Sequence, residues 1–97
     1  MYSLYFRQDA IDDLNNIWAY TFAEWSESQA DQYYDLLERE CHLLSLNEST
    51  GRVYKEIAFD IHGVSIGRHI IFYKIINSTV EILRVLHQQM DIKKHFK

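Results

Sequence analysis

Gly67-Arg68-His69-Ile70-Ile71-Phe72-Tyr73, a turn at Asn77-Ser78, and Val80-Glu81-Ile82-Leu83-Arg84-Val85-Leu86-His87 form the stretch that decides the fold. Both runs are rich in β-branched and aromatic residues, and a polar Asn-Ser pair separates them, so they read as two antiparallel strands of a hairpin. The polar segment Gln88-Gln89-Met90-Asp91 to Lys97 follows them. Upstream, Gly63-Val64-Ser65-Ile66-Gly67 reads as a third short strand with glycine at both ends. Arg52 to His62 reads as a short strand or a loop.

The first half of the chain has a different period. After a strand-like Tyr2-Ser3-Leu4-Tyr5-Phe6, apolar residues recur every three or four positions. Ala10, Leu14, Ile17 and Thr21 form one stripe, and Ile11, Leu14, Trp18, Phe22 and Trp25 form a second. Asp9, Asp12 and Asp13 occupy the first turns, where carboxylates favour the positive end of the helix dipole. A second helix starts at Ser26, with Gln29 completing a capping box and Trp25 with Ala30 forming a hydrophobic staple. Its stripe is Ala30, Tyr33 or Tyr34, Leu37, Cys41 and Leu44, with Leu36 and Leu43 on a neighbouring face. It ends in the turn cluster Asn47-Glu48-Ser49-Thr50-Gly51. Trp25 and Tyr33 are expected in the core. The order β-α-α-β-β-β specifies an α+β fold, a helical hairpin packed on one face of a mainly antiparallel sheet.

Composition bounds the function. The chain has 97 residues, no proline and three glycines, which leaves room for one domain, residues 1–97, with short loops. An apolar fraction of 47% suffices for a packed core. No run approaches the ~18 apolar residues of a membrane span, so no membrane role is expected. A lone Cys41 and the lack of a signal pattern point to the cytoplasm. The net charge of −4 argues against direct nucleic-acid binding through phosphates and favours a protein partner.

Arg68, His69, Arg84 and His87, with Lys93, Lys94 and His95, are the residue types an RNA-cleaving site would use as acid, base and phosphate-stabilising cations. Strand alternation places Arg84 and Leu86 on one face and His87 on the other. A structural alternative pairs Arg84 with Glu56, Asp60 or a helix carboxylate. The five histidines show no paired metal-ligand spacing, so no metal site is expected, and Cys41 on an apolar stripe reads as a small buried hydrophobe. Trp18 and Phe22 read either as core or as part of a groove for a partner helix.

These residues together resemble the ParE branch of the RelE/ParE toxin superfamily. The resemblance runs through Ala10-x-x-Asp13-Leu14-x-x-Ile17-Trp18-x-Tyr20 and Trp25-Ser26-x-x-Gln29-Ala30-x-x-Tyr33. It continues in Gly51-Arg52, Ser65-x-Gly67-Arg68-His69-x-Ile71-Phe72-Tyr73 and Ile82-x-Arg84-Val85-Leu86-His87-x-x-Met90-Asp91. The chain departs from the family pattern at Arg7, where Ser or Thr usually opens the first helix, at Glu48, where proline is common, and at His62. The resemblance implies the toxin of a type II toxin–antitoxin system, neutralised by a ParD-like antitoxin and directed at DNA gyrase by binding, with neither catalytic residues nor a cofactor. The RelE branch implies the alternative, a ribosome-dependent messenger ribonuclease; an inactive antitoxin-binding relative is a third. The absence of a Tyr after Tyr73, and a tail offering only His87, Lys93, Lys94, His95 and Lys97, favour the ParE branch. Trp18, Phe22, Leu36 and Leu43 are the expected antitoxin contacts. Arg68, Arg84, His87 and Met90 are the expected target surface.

Overall fold

The computed structural model describes residues 1–47 and 49–96. Glu48, in the expected turn cluster and at the expected proline position, and Lys97, in the expected basic tail, lie outside the described residues. The elements in chain order are β1 (Ser3–Phe6), α1 (Gln8–Glu24), α2 (Glu27–Ser45), β2 (Arg52–Val53), β3 (His62–Ile66), β4 (His69–Ile76), β5 (Thr79–His87) and a C-terminal 3₁₀ helix (Ile92–Phe96). The sheet order is β1-β5-β4-β3-β2. All neighbours are antiparallel except β1, which lies parallel to β5 with Leu4 opposite Val80.

Helix α1 begins without a side-chain cap. Arg7 has extended backbone, and its N–H donates to the Ile82 carbonyl at 3.0 Å, so the chain leaves the sheet and enters the helix within one residue. Asp9 in the first turn favours the exposed N–H groups there. Two residues, Trp25 and Ser26, separate the helices. Ser26 Oγ accepts from Gln29 N at 3.1 Å, a cap of about 1 kcal/mol. The expected staple does not form. Trp25 is 72% exposed, because a residue at the apex between two antiparallel helices projects away from both buried stripes. Its assignment to the core is therefore corrected. The α2 stripe is as expected, with Ala30, Leu37, Cys41 and Leu44 buried. The helix closes at Asn47, whose φ of 60° is the left-handed conformation that asparagine tolerates.

The core has two parts. Between helices and sheet lie Ala10, Leu14, Leu37, Cys41, Leu44, Ile71, Tyr73, Val80, Ile82 and Val85, with Tyr33, Tyr34 and Ile17 packed against them. The opposite face is also covered. Tyr54, Ile70, Phe72, Leu83 and Leu86 pack there under Ile57, Ile61, Ile92 and Phe96. The segment after β2 and the tail, read from sequence as an unassigned stretch and a polar end, thus form a second apolar layer.

A bulge in β5 sets which side chains share a face. Phe72 pairs with Arg84 and Tyr73 with Ile82, which leaves Leu83 without an opposite residue. Before the bulge Val80 and Ile82 face the helices; after it Val85 does, while Leu83 and Leu86 face the other way. One extra residue switches the phase of the strand. The same switch carries His87 to the helix side, opposite His69. The β4–β5 turn has φ of 49° at Asn77 and 61° at Ser78, the two positive values of a type I′ hairpin.

Candidate functional site

At one end of the sheet three side chains meet, those of Tyr33, His69 and His87. His69 and His87 are opposite each other in the β4–β5 register, their rings edge to face at 5.3 Å. Tyr33, reaching down from α2, places its hydroxyl 2.6 Å from His69 Nδ1 and accepts the Arg68 backbone N–H at 3.1 Å. With that N–H occupying an acceptor position, the phenol proton is free to point at His69, which makes Nδ1 an acceptor and leaves the neutral ring its proton on Nε2. His87 Nδ1 accepts the Gln89 N–H at 3.2 Å, so a neutral His87 also carries its proton on Nε2. Burial first, then the neighbouring His87, lowers the His69 pKa to about 4; Asp13 opposes the shift. Burial raises the Tyr33 hydroxyl, partly offset by its hydrogen bond and proximity to Arg68. At neutral pH the pair is therefore an uncharged phenol donating to an uncharged imidazole.

Gly67 makes this contact possible. It has φ of +58°, and a Cβ there would lie 2.7 Å from the Tyr33 hydroxyl. The β3–β4 turn thus needs a residue without a side chain for conformation and for space.

Arg84 is held by a carboxylate of α1. Its Nε lies 2.8 Å from Asp13 Oδ2 and its Nη2 2.9 Å from Oδ1, a bidentate pair; Asp13 Oδ2 also accepts the Val85 N–H at 2.9 Å. Asp13 holds the guanidinium pKa above its ordinary value, against a smaller opposing effect of burial. Nη1 reaches the His95 carbonyl at 3.4 Å, linking the pair to the tail. The partner is a helix carboxylate, as the structural alternative had it, and this clamp ties α1 to β5.

The other residues expected on a target surface, Arg68, His87 and Met90, lie close together. Gln88 N donates to the Arg68 carbonyl at 3.0 Å and Met90 N to the His87 carbonyl at 2.9 Å, which gathers Arg68, His87 and Met90 at the sheet end. Arg68 is exposed, and Met90 is 46% exposed. Sequence reasoning missed Tyr33 and Asp13 as partners here. Asp13 lies 71 residues from Arg84 and Tyr33 lies 36 from His69, and no local pattern encodes such separations.

The expected antitoxin contacts fall into two groups. Trp18 and Phe22 stack at 5.3 Å on the outer groove between the helices, and Trp18 Nε1 donates to Asp31 Oδ1 at 2.9 Å. Leu36 and Leu43 lie two turns apart on one line of α2, with Leu36 40% exposed. At ~100° per residue, Leu36 is about 140° around the helix from Asp31, so the two groups are on different flanks. Among the described residues there is no group of three or more His, Cys, Asp or Glu placed to hold a metal ion, and no helix is long and apolar enough to cross a membrane. Cys41 is buried, and burial, with Glu40 and Glu38 adding to it, pushes its thiol up to about 12, well away from a nucleophile's range.

Two helices packed on a five-stranded mixed sheet are a fold this chain shares with solved proteins of toxin–antitoxin systems. The solved chromosomal ParDE system from P. aeruginosa superimposes with a TM-score of 0.79 at 16% identity, over 90% of this chain and 96% of that one. The toxin–antitoxin complex RelBE2 from Mycobacterium tuberculosis does so with a TM-score of 0.66 at 19% identity, over 90% and 98%. At these identities the likeness is one of fold. The family model described as ParE toxin of type II toxin-antitoxin system, parDE, matches residues 4–92. Toxin ParE1 of Mycobacterium tuberculosis is 34% identical over 83 residues, 84% of this chain and 85% of that protein. Toxin ParE1 of Caulobacter vibrioides is 30% identical over 83 residues, 86% and 85% respectively. The chain belongs to the ParE toxin family.

Proposed function

We propose that residues 1–97 act as one toxin domain in the cytoplasm, inhibiting DNA gyrase by binding it, and that a ParD-like antitoxin neutralises the toxin by covering its helical hairpin. The observation that carries inhibition by binding, over nuclease chemistry, is the state of the sheet-end groups. A general acid and base work best with pKa values near the operating pH. The Tyr33–His69 pair is shifted the wrong way at both ends, the phenol up and the imidazole down. Arg84 is committed to Asp13 and cannot swing freely to a phosphate. Arg68, His87 and Met90 remain as a compact surface suited to contact, and we assign the target to it. Trp18 and Phe22 on one flank, with Leu36 and Leu43 on the other, fit an antitoxin that wraps around α2 in more than one segment.

The test is a pair of assays on the purified chain. Added to a gyrase supercoiling and cleavage reaction, it should block supercoiling and accumulate cleaved DNA. Message on ribosomes should remain intact. Cut message with unaffected gyrase would reject the proposal in favour of the ribonuclease reading. No effect in either assay, with antitoxin binding retained, would identify a relative that only binds its antitoxin.

A further inference from the structure

The charge of the chain is unevenly divided. Gln8 to Ser45, the two helices and their connection, holds nine of the fourteen Asp and Glu residues and one of the ten Lys and Arg residues. The remainder has five acidic and nine basic residues. The overall charge of −4 is therefore the sum of a strongly acidic helical layer and a basic remainder.

Within the helical layer the arrangement is ordered. Asp31, Asp35 and Glu38 recur on α2 at i, i+4 and i+7, which puts them on one stripe. Ile11, Trp18 and Phe22 recur on α1 at i, i+7 and i+11, another single stripe. The two stripes face each other across the hairpin. Trp18 donates to Asp31, and a hollow lined by Asn15, Trp18, Asp31, Tyr34 and Asp35 lies between the helices. The groove thus has an apolar wall, with Ile11 38% and Phe22 47% exposed, and a wall of carboxylates. Among the described residues, the ion pairs are Arg7–Glu81, Arg52–Glu56 and Arg84–Asp13, so none of the three groove carboxylates is paired with a basic side chain. Like charges one turn apart on a helix repel each other, and an incoming cation relieves that repulsion.

Resting on the reading of this chain as an antitoxin-bound toxin, we infer that this groove takes a basic amphipathic helix of the antitoxin. Its apolar side lies on Ile11, Trp18 and Phe22, and Lys or Arg side chains one and two turns apart meet Asp31, Asp35 and Glu38. The hollow seats one such cation between two carboxylates and against the rings of Trp18 and Tyr34, where carboxylate and π-face attraction act together. An acidic helix of the same apolar pattern is repelled by the α2 wall, so the charge sets partner choice as well as association rate.

Two synthetic 16-residue helical peptides with the same apolar positions, one with Lys and one with Glu at the flanking positions, provide the direct probe. Binding is followed by Trp fluorescence and amide chemical shifts. The Lys peptide should shift Trp18, Asp31 and Asp35, with affinity falling about tenfold or more between 50 and 500 mM NaCl as surface charges are screened. The triple variant Asp31→Asn, Asp35→Asn, Glu38→Gln should lose most of that affinity while keeping its circular dichroism, since the side-chain amide oxygen introduced by Asp31→Asn still accepts from Trp18. Equal binding of the Glu peptide, or shifts confined to other surfaces, would overturn the inference. In a second arm, the antitoxin encoded beside this chain replaces the peptides. Binding that ignores both salt and the triple variant sinks the inference and leaves the proposed function standing, whereas no binding at all sinks the proposed function. Salt-sensitive dimerisation of the chain alone through the same residues would show a second copy as the occupant and likewise overturn it.

Discussion

Removing the Asp13 carboxylate should cost more than any other single surface-accessible change in this chain. Asp13 accepts three N–H groups, two from Arg84 and one from the Val85 backbone, at 2.8 to 2.9 Å. The side chains are 12% exposed for Asp13 and 20% for Arg84, between a surface pair and a buried one. Breaking a fully buried pair costs about 3–5 kcal/mol and losing an exposed one about 0–1, so an intermediate site gives about 2 kcal/mol. The Val85 N–H, stranded in a strand whose side chain is 2% exposed, adds about 1–2 kcal/mol. Asp13→Ala is therefore expected to destabilise by about 3–4 kcal/mol, and Arg84→Ala by about 2, because Asp13 keeps Val85 and regains water. The double variant should cost little more than Asp13→Ala alone, a coupling of about 1.5–2 kcal/mol in a double-mutant cycle. Urea denaturation at pH 7 measures all three. Additivity within 0.5 kcal/mol, taken as about the scatter of independent sites, would refute the clamp. So would an Arg84→Ala variant of unchanged stability that has lost toxicity, since Arg84 would then belong to the target surface.

His69 offers a pH test. Its folded-state pKa of about 4 lies below the ordinary histidine value, so the unfolded chain binds more protons between about pH 6.5 and 4, and acid favours unfolding across that window. Stability should fall as pH drops through it, less so in His69→Gln, and the His69 ring should show no NMR titration step above pH 5; a midpoint near 6.5 would contradict the burial argument. Gly67→Ala should destabilise by about 2 kcal/mol through its positive φ and its collision with Tyr33, and the His69 ring signals should move as the hydrogen bond is lost. Ser78→Gly should stabilise by about 0.5–1 kcal/mol, because Ser78 holds a φ of 61° that glycine adopts without strain; an unchanged denaturation midpoint would argue against a strained turn.

Much of the architecture was legible in the sequence because it rests on local rules. The 3.6-residue stripe Ala30–Leu37–Cys41–Leu44, the Ser26 cap and the β4–β5 hairpin were each encoded within a few residues of themselves. Trp25 was misread because a stripe continued by spacing alone does not reveal where a helix stops facing its neighbours. Arg68, His87 and Met90, three of the four residues expected to share a surface, are neighbours because they lie at the end of one hairpin.

The sequence by itself determined the order of the longer elements, the helical hairpin, the two long strands and the family resemblance, while β2 and the C-terminal 3₁₀ helix were not read from it. Those features follow from periodicity, capping and turn chemistry, which act over one to five residues. Tertiary structure alone decided the rest. The parallel docking of β1 on β5, the Leu83 bulge that brings His87 to the helix side, the Asp13–Arg84 clamp, the Tyr33–His69 contact and the second apolar layer under Ile92 and Phe96 all join residues far apart in the chain. Their free energy appears only once the backbone has closed. That closure engages Arg84 with Asp13 and leaves an acidic-walled groove open on the helices.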